Sequence, residues 1–303
     1  MIDLSEKLYF YNRYIHCIQN LFFNKKLPSS IMFFGKEGIG KKNFIAHLLL
    51  DIQNKTFLNN QSLNNENFIF HNQDDLNNIV QNKNSNVKFV YNSENTSNIT
   101  IDQIREIINY TQQSSLNGES KFIIICNAEN LNLFAANSLL KILENPPENN
   151  YFILIADTGR QLINTIKSRC VKFKIEFSKN ERSNILSSLL NDLNFLNNSS
   201  IINDQESPGS IINKLKFIMK NNLNNKNVLE VIDFCLNDYK ENKNKSSLKI
   251  AFDLLSNFFY EKMLINFKST NNIYNIFKKK MINTITFNSD IGAMINFLKI
   301  GFK

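Results

Sequence analysis

Tryptophan is absent from this 303-residue sequence, proline occurs four times and glycine eight. That scarcity makes the placement of each glycine informative. The four cysteines, Cys17, Cys126, Cys170 and Cys235, lie far apart and never form C-x-x-C. Such spacing supports neither a disulfide scaffold nor a zinc module. The histidines, His16, His47 and His71, are equally scattered. No apolar run approaches the roughly 18 residues of a membrane-spanning helix, so contact with a membrane is not expected. The opening stretch MIDLSEKLYF carries Asp3 and Glu6 and has no apolar signal core. Secretion is therefore not expected, and a reducing cytoplasm is the natural compartment. Charge of one sign is not extreme either: Lys+Arg total 35 against Asp+Glu 27, a net +8. That excess permits contact with a polyanion without demanding it.

Hydrophobic residues make up 43% of the chain and Phe alone numbers 26, so a sizeable core can form despite long Asn-rich stretches. Gly35, Gly38 and Gly40 fall within six residues, directly after the apolar run Ile31-Met32-Phe33-Phe34 and before a helical pattern from Asn43 to Leu50. This is strand, tight glycine loop, helix. Residues 58–86 are polar and Asn-heavy and read as a long loop or weak helices. Val87–Tyr91, Lys121–Cys126, Tyr151–Ala156 and Val171–Ile175 read as further strands. Thr100 with Gln103 suggests a capping box opening a helix that carries Ile101, Ile104, Ile107 and Ile108. A second helix runs from Leu131 to Glu144, where Pro146-Pro147 stops it. Continuous apolar strands alternating with helices predict a five-stranded parallel sheet covered on both faces. Past residue 176 the apolar positions recur at helical spacing, most clearly Ala251, Leu254, Leu255, Phe258, Met263 and Phe267. The fold class is thus α/β followed by all-α. The divisions are 1–175 for the sheet domain, 176–222 for a small helical lid and 223–303 for a helical collar.

The segment Gly35-Lys36-Glu37-Gly38-Ile39-Gly40-Lys41-Lys42 matches G-x-x-x-x-G-K and then departs from it. Glycines let backbone N–H groups converge on phosphate oxygens, and the lysine neutralises phosphate charge. Gly35, Gly38, Gly40 and Lys41 are therefore candidate ligands of ATP or ADP; the alternative is a tight turn that only closes strand onto helix. A Ser or Thr should follow Lys41 to hold Mg²⁺, and Lys42 stands there instead. An ammonium has no lone pair for a metal. Hydrolysis also needs carboxylates at a neighbouring strand end, where Lys121–Cys126 leads into Asn127. Losing a general base alone costs ~10²–10⁴-fold in rate. Glu129, two residues beyond Asn127, is a weak substitute. The isolated chain is expected not to turn over ATP, and neither a required cofactor nor a metal is expected.

The run Ala136-Asn137-Ser138-Leu139-Leu140-Lys141-Ile142-Leu143-Glu144-Asn145-Pro146-Pro147 resembles the NALLKTLEEPP signature of bacterial clamp-loader subunits, members of the AAA+ family. Ser168-Arg169-Cys170 resembles the family's SRC motif, and Ile101-Asp102-Gln103-Ile104-Arg105 its I-D-Q-I-R helix start. By motif the resemblance covers about residues 5–176, and by layout the rest. Lys42, Cys126 and Asn127, with the chain length, point to the delta-prime branch of that family and away from its longer motor subunit. The resemblance implies an AAA+ phosphate-loop domain, a lid and an oligomerising collar in a hetero-oligomer with gamma/tau and delta subunits. Through that complex the chain would meet the sliding clamp and primed DNA, as part of a DNA-directed DNA polymerase holoenzyme. Arg169 would act in trans as an arginine finger on a neighbour's ATP, with Ser168 and Cys170 shaping its loop; from the residues alone, an anchoring ion pair is an equal alternative. Arg105 and Lys141 would face the duplex backbone or stand as ordinary solvated charges. Relatives carry four zinc-binding cysteines after the phosphate-loop helix. This sequence has none there, so no zinc is expected. Ser207-Pro208-Gly209-Ser210 resembles a GSPGR lid-helix start, with Ser210 in the arginine's place. The competing readings are an ATP-hydrolysing motor subunit and a phosphate-loop kinase acting on a small molecule.

Overall fold

Runs such as Lys121–Ile125, buried at all five positions, have no polar face to show to water and must sit inside a sheet covered on both sides. The computed structural model describes residues 5–55, 68–92, 98–113, 118–192, 206–224, 226–265, 274–276 and 279. The chain divides into two compact units, one of residues 1–188 with 207–209 and the other of 189–206 with 210–303.

In the first unit the order is β1 (Lys7–Tyr9), α1 (Asn12–Phe23), β2 (Ser30–Gly35), α2 (Lys41–Gln53), β3 (Phe68–Phe70), α3 (Gln73–Val80) and β4 (Val87–Val90). There follow α4 (Ile101–Gln112), β5 (Lys121–Ile125), α5 (Leu133–Glu144), β6 (Asn150–Asp157), α6 (Asn164–Arg169) and β7 (Val171–Lys174). The five strands expected from the sequence form one sheet in the order β4-β5-β6-β2-β7, with every pairing parallel. Gly35 is paired with Asp157 and Ile125 with Leu154, so the C-terminal ends of β2, β5 and β6 lie side by side. Ligand sites in open parallel sheets form at that edge. Ile104, Ile107, Leu139 and Leu143, on α4 and α5, pack with the strand residues Ile123, Ile125, Phe152 and Leu154. Burying each such side chain is worth about 1.5–3 kcal/mol.

One feature was not anticipated, and one choice left open by the sequence is settled. β1 and β3 form a separate antiparallel pair, with Leu8 opposite Ile69. Within the polar region 58–86, residues 73–80 form α3, opened by the Asn72 side chain accepting from Asp74 N–H at 3.0 Å. Residues 56–67 lie outside those described.

Four further helices follow: α7 (Lys179–Asp192), α8 (Pro208–Lys220), α9 (Val228–Asn242) and α10 (Lys245–Ile265). In the second unit α9 and α10 form a hairpin. Its turn places Lys243 in the left-handed region, and the Asp238 carboxylate accepts from the side chains of Asn242, Asn244 and Ser247. Ala251, Leu254 and Leu255 of the expected stripe are buried, while Phe267 lies outside the described residues.

Candidate functional site

The turn from β2 into α2 needs backbone that most residues resist. Gly38 and Gly40 take φ of 75° and 96°, the left-handed region in which a side chain is strained. Gly35 is constrained differently: a Cβ there would stand 2.5 Å from the Ile175 carbonyl oxygen. The loop is pinned by Tyr11, whose buried hydroxyl donates to the Ile39 carbonyl at 2.6 Å. The Tyr11 ring stacks on Phe44 of α2 at 5.0 Å and meets Phe177 edge-on at 5.0 Å. A glycine loop of this shape, opening onto the N-terminus of a 13-residue helix, presents N–H groups suited to an anion.

Lys41 is buried, and its ammonium donates to the carbonyls of Gly35 at 2.6 Å and Lys36 at 2.9 Å. Burial lowers its pKa, while the carboxylates of Asp157, Glu129 and Glu37 pull in the opposite direction. Glu129 is tied to the end of β6, where its carboxylate accepts from Asp157 N–H at 3.3 Å. The Asp157 carboxylate in turn accepts from Gly159 N–H at 3.1 Å. Sequence reasoning missed Asp157 and Tyr11 altogether. Neither belongs to the glycine motif, and only the parallel register and the packing of α1 bring them to it.

Lys42, the residue after the motif lysine, turns toward the end of β5. Its Nζ lies 5.4 Å from the centre of the Tyr91 ring, and burial lowers its pKa against the influence of the Cys126 thiol. Cys126 is buried, and burial pushes its thiol up to about 12 despite Lys42, so it stays protonated near neutrality. Asn127 turns into left-handed backbone and is exposed. A magnesium ion here would meet an ammonium, a protonated thiol and an amide in place of a hydroxyl and two carboxylates. These residues do not fit the metal. Among the described residues, no group of three or more His, Cys, Asp or Glu side chains gathers in a way that could hold an ion.

The sequence-predicted residues thus fall into two places. Gly35, Gly38, Gly40 and Lys41 come together with Lys42 and Cys126 at the phosphate loop. Ser168, Arg169 and Cys170 sit at the junction of α6 and β7, where Arg169 is the last helical residue and not part of a loop. Its guanidinium is partly exposed, and its Nε donates to Glu144 Oε1 at 2.5 Å, with Nη2 on the same oxygen. Nη1 makes longer contacts to the Thr165 carbonyl at 3.3 Å and Ser168 Oγ at 3.4 Å. Ser168 itself donates to Thr165 O at 2.9 Å. Cys170 is buried and pushed up to about 11 by that burial, which suits a packing residue and not a nucleophile. Arg105 pairs with Asp102 at 3.0 Å on the exposed face of α4, and Lys141 is exposed on α5.

Comparison with known proteins adds to this geometry. A family model described as "DNA polymerase III, delta subunit" matches residues 11–179. DNA polymerase III subunit delta′ of Buchnera aphidicola subsp. Baizongia pistaciae is 40% identical over 87 residues, 29% of this chain and 25% of that one. The delta′ subunit of Buchnera aphidicola subsp. Schizaphis graminum is 30% identical over 204 residues, 63% of this chain and 62% of the relative. The gamma subunit of that organism is 31% identical over 145 residues, 45% of this chain and 40% of it. Across these relatives the matched segments span between a quarter and 62% of their length. Among solved structures, a DNA polymerase III gamma subunit-related protein from Thermotoga maritima superposes with a TM-score of 0.53 at 17% identity, covering 95% of this chain and 98% of that one. That likeness shows the fold: a parallel sheet flanked by helices, with further helices C-terminal to it.

Proposed function

We propose, on the premise that this chain belongs to the DNA polymerase III delta subunit family, that it is the delta-prime-type subunit of a clamp loader. It does not hydrolyse ATP itself and completes a neighbouring gamma/tau subunit's ATP site with Arg169. The observation that carries this reading is that Lys42 and the buried Cys126 stand where a metal-binding hydroxyl and carboxylate would be needed. ATP or ADP can still be cradled by Gly35, Gly38, Gly40 and Lys41, but nothing in the loop would activate water against it. The chain's contribution to catalysis would then be made outward, through the guanidinium of Arg169. An arginine supplied in trans stabilises charge on the transferring phosphoryl group and is worth ~10³–10⁵ in rate. Partners would be gamma/tau and delta subunits, and through them a sliding clamp and primed DNA.

ATP turnover tests this, first with the purified chain and then with the clamp loader reconstituted with gamma/tau, delta, clamp and primed DNA. The expected result is no turnover by the chain alone and a deep fall in the complex carrying Arg169→Ala, with assembly intact. Robust turnover by the chain alone would favour a motor subunit. An intact complex indifferent to Arg169→Ala would leave a structural subunit only.

A further inference from the structure

We infer that Glu144 is a positioning residue for Arg169, fixing the guanidinium so that its outer edge faces a phosphate group presented by a neighbouring chain. The inference rests on the function proposed above and extends it to a residue outside the S-R-C triplet. A guanidinium offers two edges for bidentate contact: the side edge, Nε with one terminal nitrogen, and the end edge, formed by both terminal nitrogens. Glu144 takes the side edge, with Nε at 2.5 Å from Oε1 and Nη2 on the same oxygen. The end edge keeps only the contacts of Nη1 at 3.3 and 3.4 Å, too long to compete with an ionised phosphate oxygen. One carboxylate therefore fixes the torsion of the side chain while leaving the phosphate-binding edge available.

The two residues are themselves held by their helices. Glu144 is the last residue of α5, whose preceding Ile142 and Leu143 are buried in the core. Pro146-Pro147 prevents α5 from continuing past it. Arg169 closes α6, anchored by the fully buried Ile166. Each end of the pair is thus on a rigid element, which is what holding a reacting geometry to within ~0.5 Å requires. Both side chains remain partly exposed, 37% for Arg169 and 46% for Glu144. Exposed ion pairs contribute little to stability, ~0–1 kcal/mol, so the pair's value is in orientation more than in folding.

The test compares Glu144→Ala, the isosteric Glu144→Gln, Glu144→Asp and the double variant Glu144→Ala/Arg169→Ala in the reconstituted complex. Steady-state ATP turnover is measured with clamp and primed DNA, after assembly is checked by gel filtration. We expect Glu144→Ala and Glu144→Gln each to lower kcat by about tenfold with KM for ATP unchanged, the pattern of an interaction that matters only in the transition state. Glu144→Asp should recover part of that loss, and the double variant should be no slower than Arg169→Ala alone. If Arg169→Ala slows turnover while both Glu144→Ala and Glu144→Gln leave kcat intact, the positioning role is wrong and the finger stands. If Arg169→Ala has no effect, the finger reading fails first and this inference falls with it. A lowered melting temperature of Glu144→Gln with unchanged kcat would make the pair structural and also overturn the inference.

Discussion

At the scale of single residues, the site's chemistry is decided by what burial does to four side chains. Lys41 and Lys42 are both lowered by burial, and the thiols of Cys126 and Cys170 are pushed up to about 12 and about 11. A thiol reacts as its thiolate, so a buried thiol with a raised pKa is inert at ordinary pH. Cys235 belongs with them, pushed up to about 12 by burial and then by Asp238, whereas Cys17 is exposed on α1. Iodoacetamide at pH 8, read by mass spectrometry of the folded chain, should modify Cys17 within minutes and leave the other three unmodified until denaturant is added. Rapid native labelling of Cys126 would mean that the end of β5 is open to solvent and that its thiol can ionise beside Lys42. The identities of Lys42, Cys126 and Asn127 were plain in the sequence, and so was their unfitness for a metal. The approach of Lys42 to Tyr91, and of Asp157 to Lys41, was not, because both depend on strand register across a sheet, which residue order does not display.

At the scale of elements, the legibility of the fold follows segment length and burial. β5 and β6 carry the continuous apolar runs Phe122–Ile125 and Tyr151–Ala156, and they are read directly from the sequence. β1 and β3 have three residues each, too few to display an alternation, and became visible only once paired. The capping reading of α4 is borne out: Gln103 Oε1 accepts from Thr100 N–H at 3.0 Å, and the Gln103 amide also donates to the Tyr91 carbonyl at 2.8 Å. The start of α8 carries a constraint that composition hides. Gly209 N–H donates to the Gly38 carbonyl at 3.0 Å, and a Cβ on Gly209 would stand 2.5 Å from that oxygen. The obstacle is backbone and cannot rotate away, so helix start and phosphate loop would have to separate. In most helices Gly→Ala stabilises. Here Gly209→Ala should destabilise by about 1–3 kcal/mol, the usual cost of overpacking. It should also raise amide exchange across residues 36–40. An unchanged or increased midpoint in urea would show that the contact is not tight.

At the scale of the whole molecule, pH dependence of stability separates the contribution of one buried cluster from that of the surface. His47 is fully buried on α2, where its Nε2 lies 2.9 Å from the Ser5 carbonyl and its Nδ1 2.8 Å from Nδ1 of His71. Nε2 of His71 meets the Asp51 carboxylate at 3.0 Å. Three such contacts need three ring hydrogens, one more than two neutral imidazoles carry. Neutral His47, donating to Ser5 through Nε2, leaves its Nδ1 as an acceptor facing His71. Burial accordingly lowers His47 from 6.5 to about 4. In the unfolded chain that ring takes up a proton as pH falls through 6.5, while in the folded chain it resists until about 4. Between those values the unfolded state binds more protons, so stability falls with falling pH, by on the order of 3 kcal/mol in total. The depressed carboxylates of Glu181 and Asp238 contribute stability that is lost only at lower pH, below their ordinary values of 4.5 and 3.8. The upper window therefore belongs to the histidine cluster. Because the chain divides into two compact units, a single midpoint could mix two transitions, and amide exchange on α2 provides the local readout. Protection of α2 should weaken between pH 6.5 and 4 in the native sequence, and the slope should flatten in His47→Gln. An equal slope in both proteins would assign the effect elsewhere and break the proton count on which it rests.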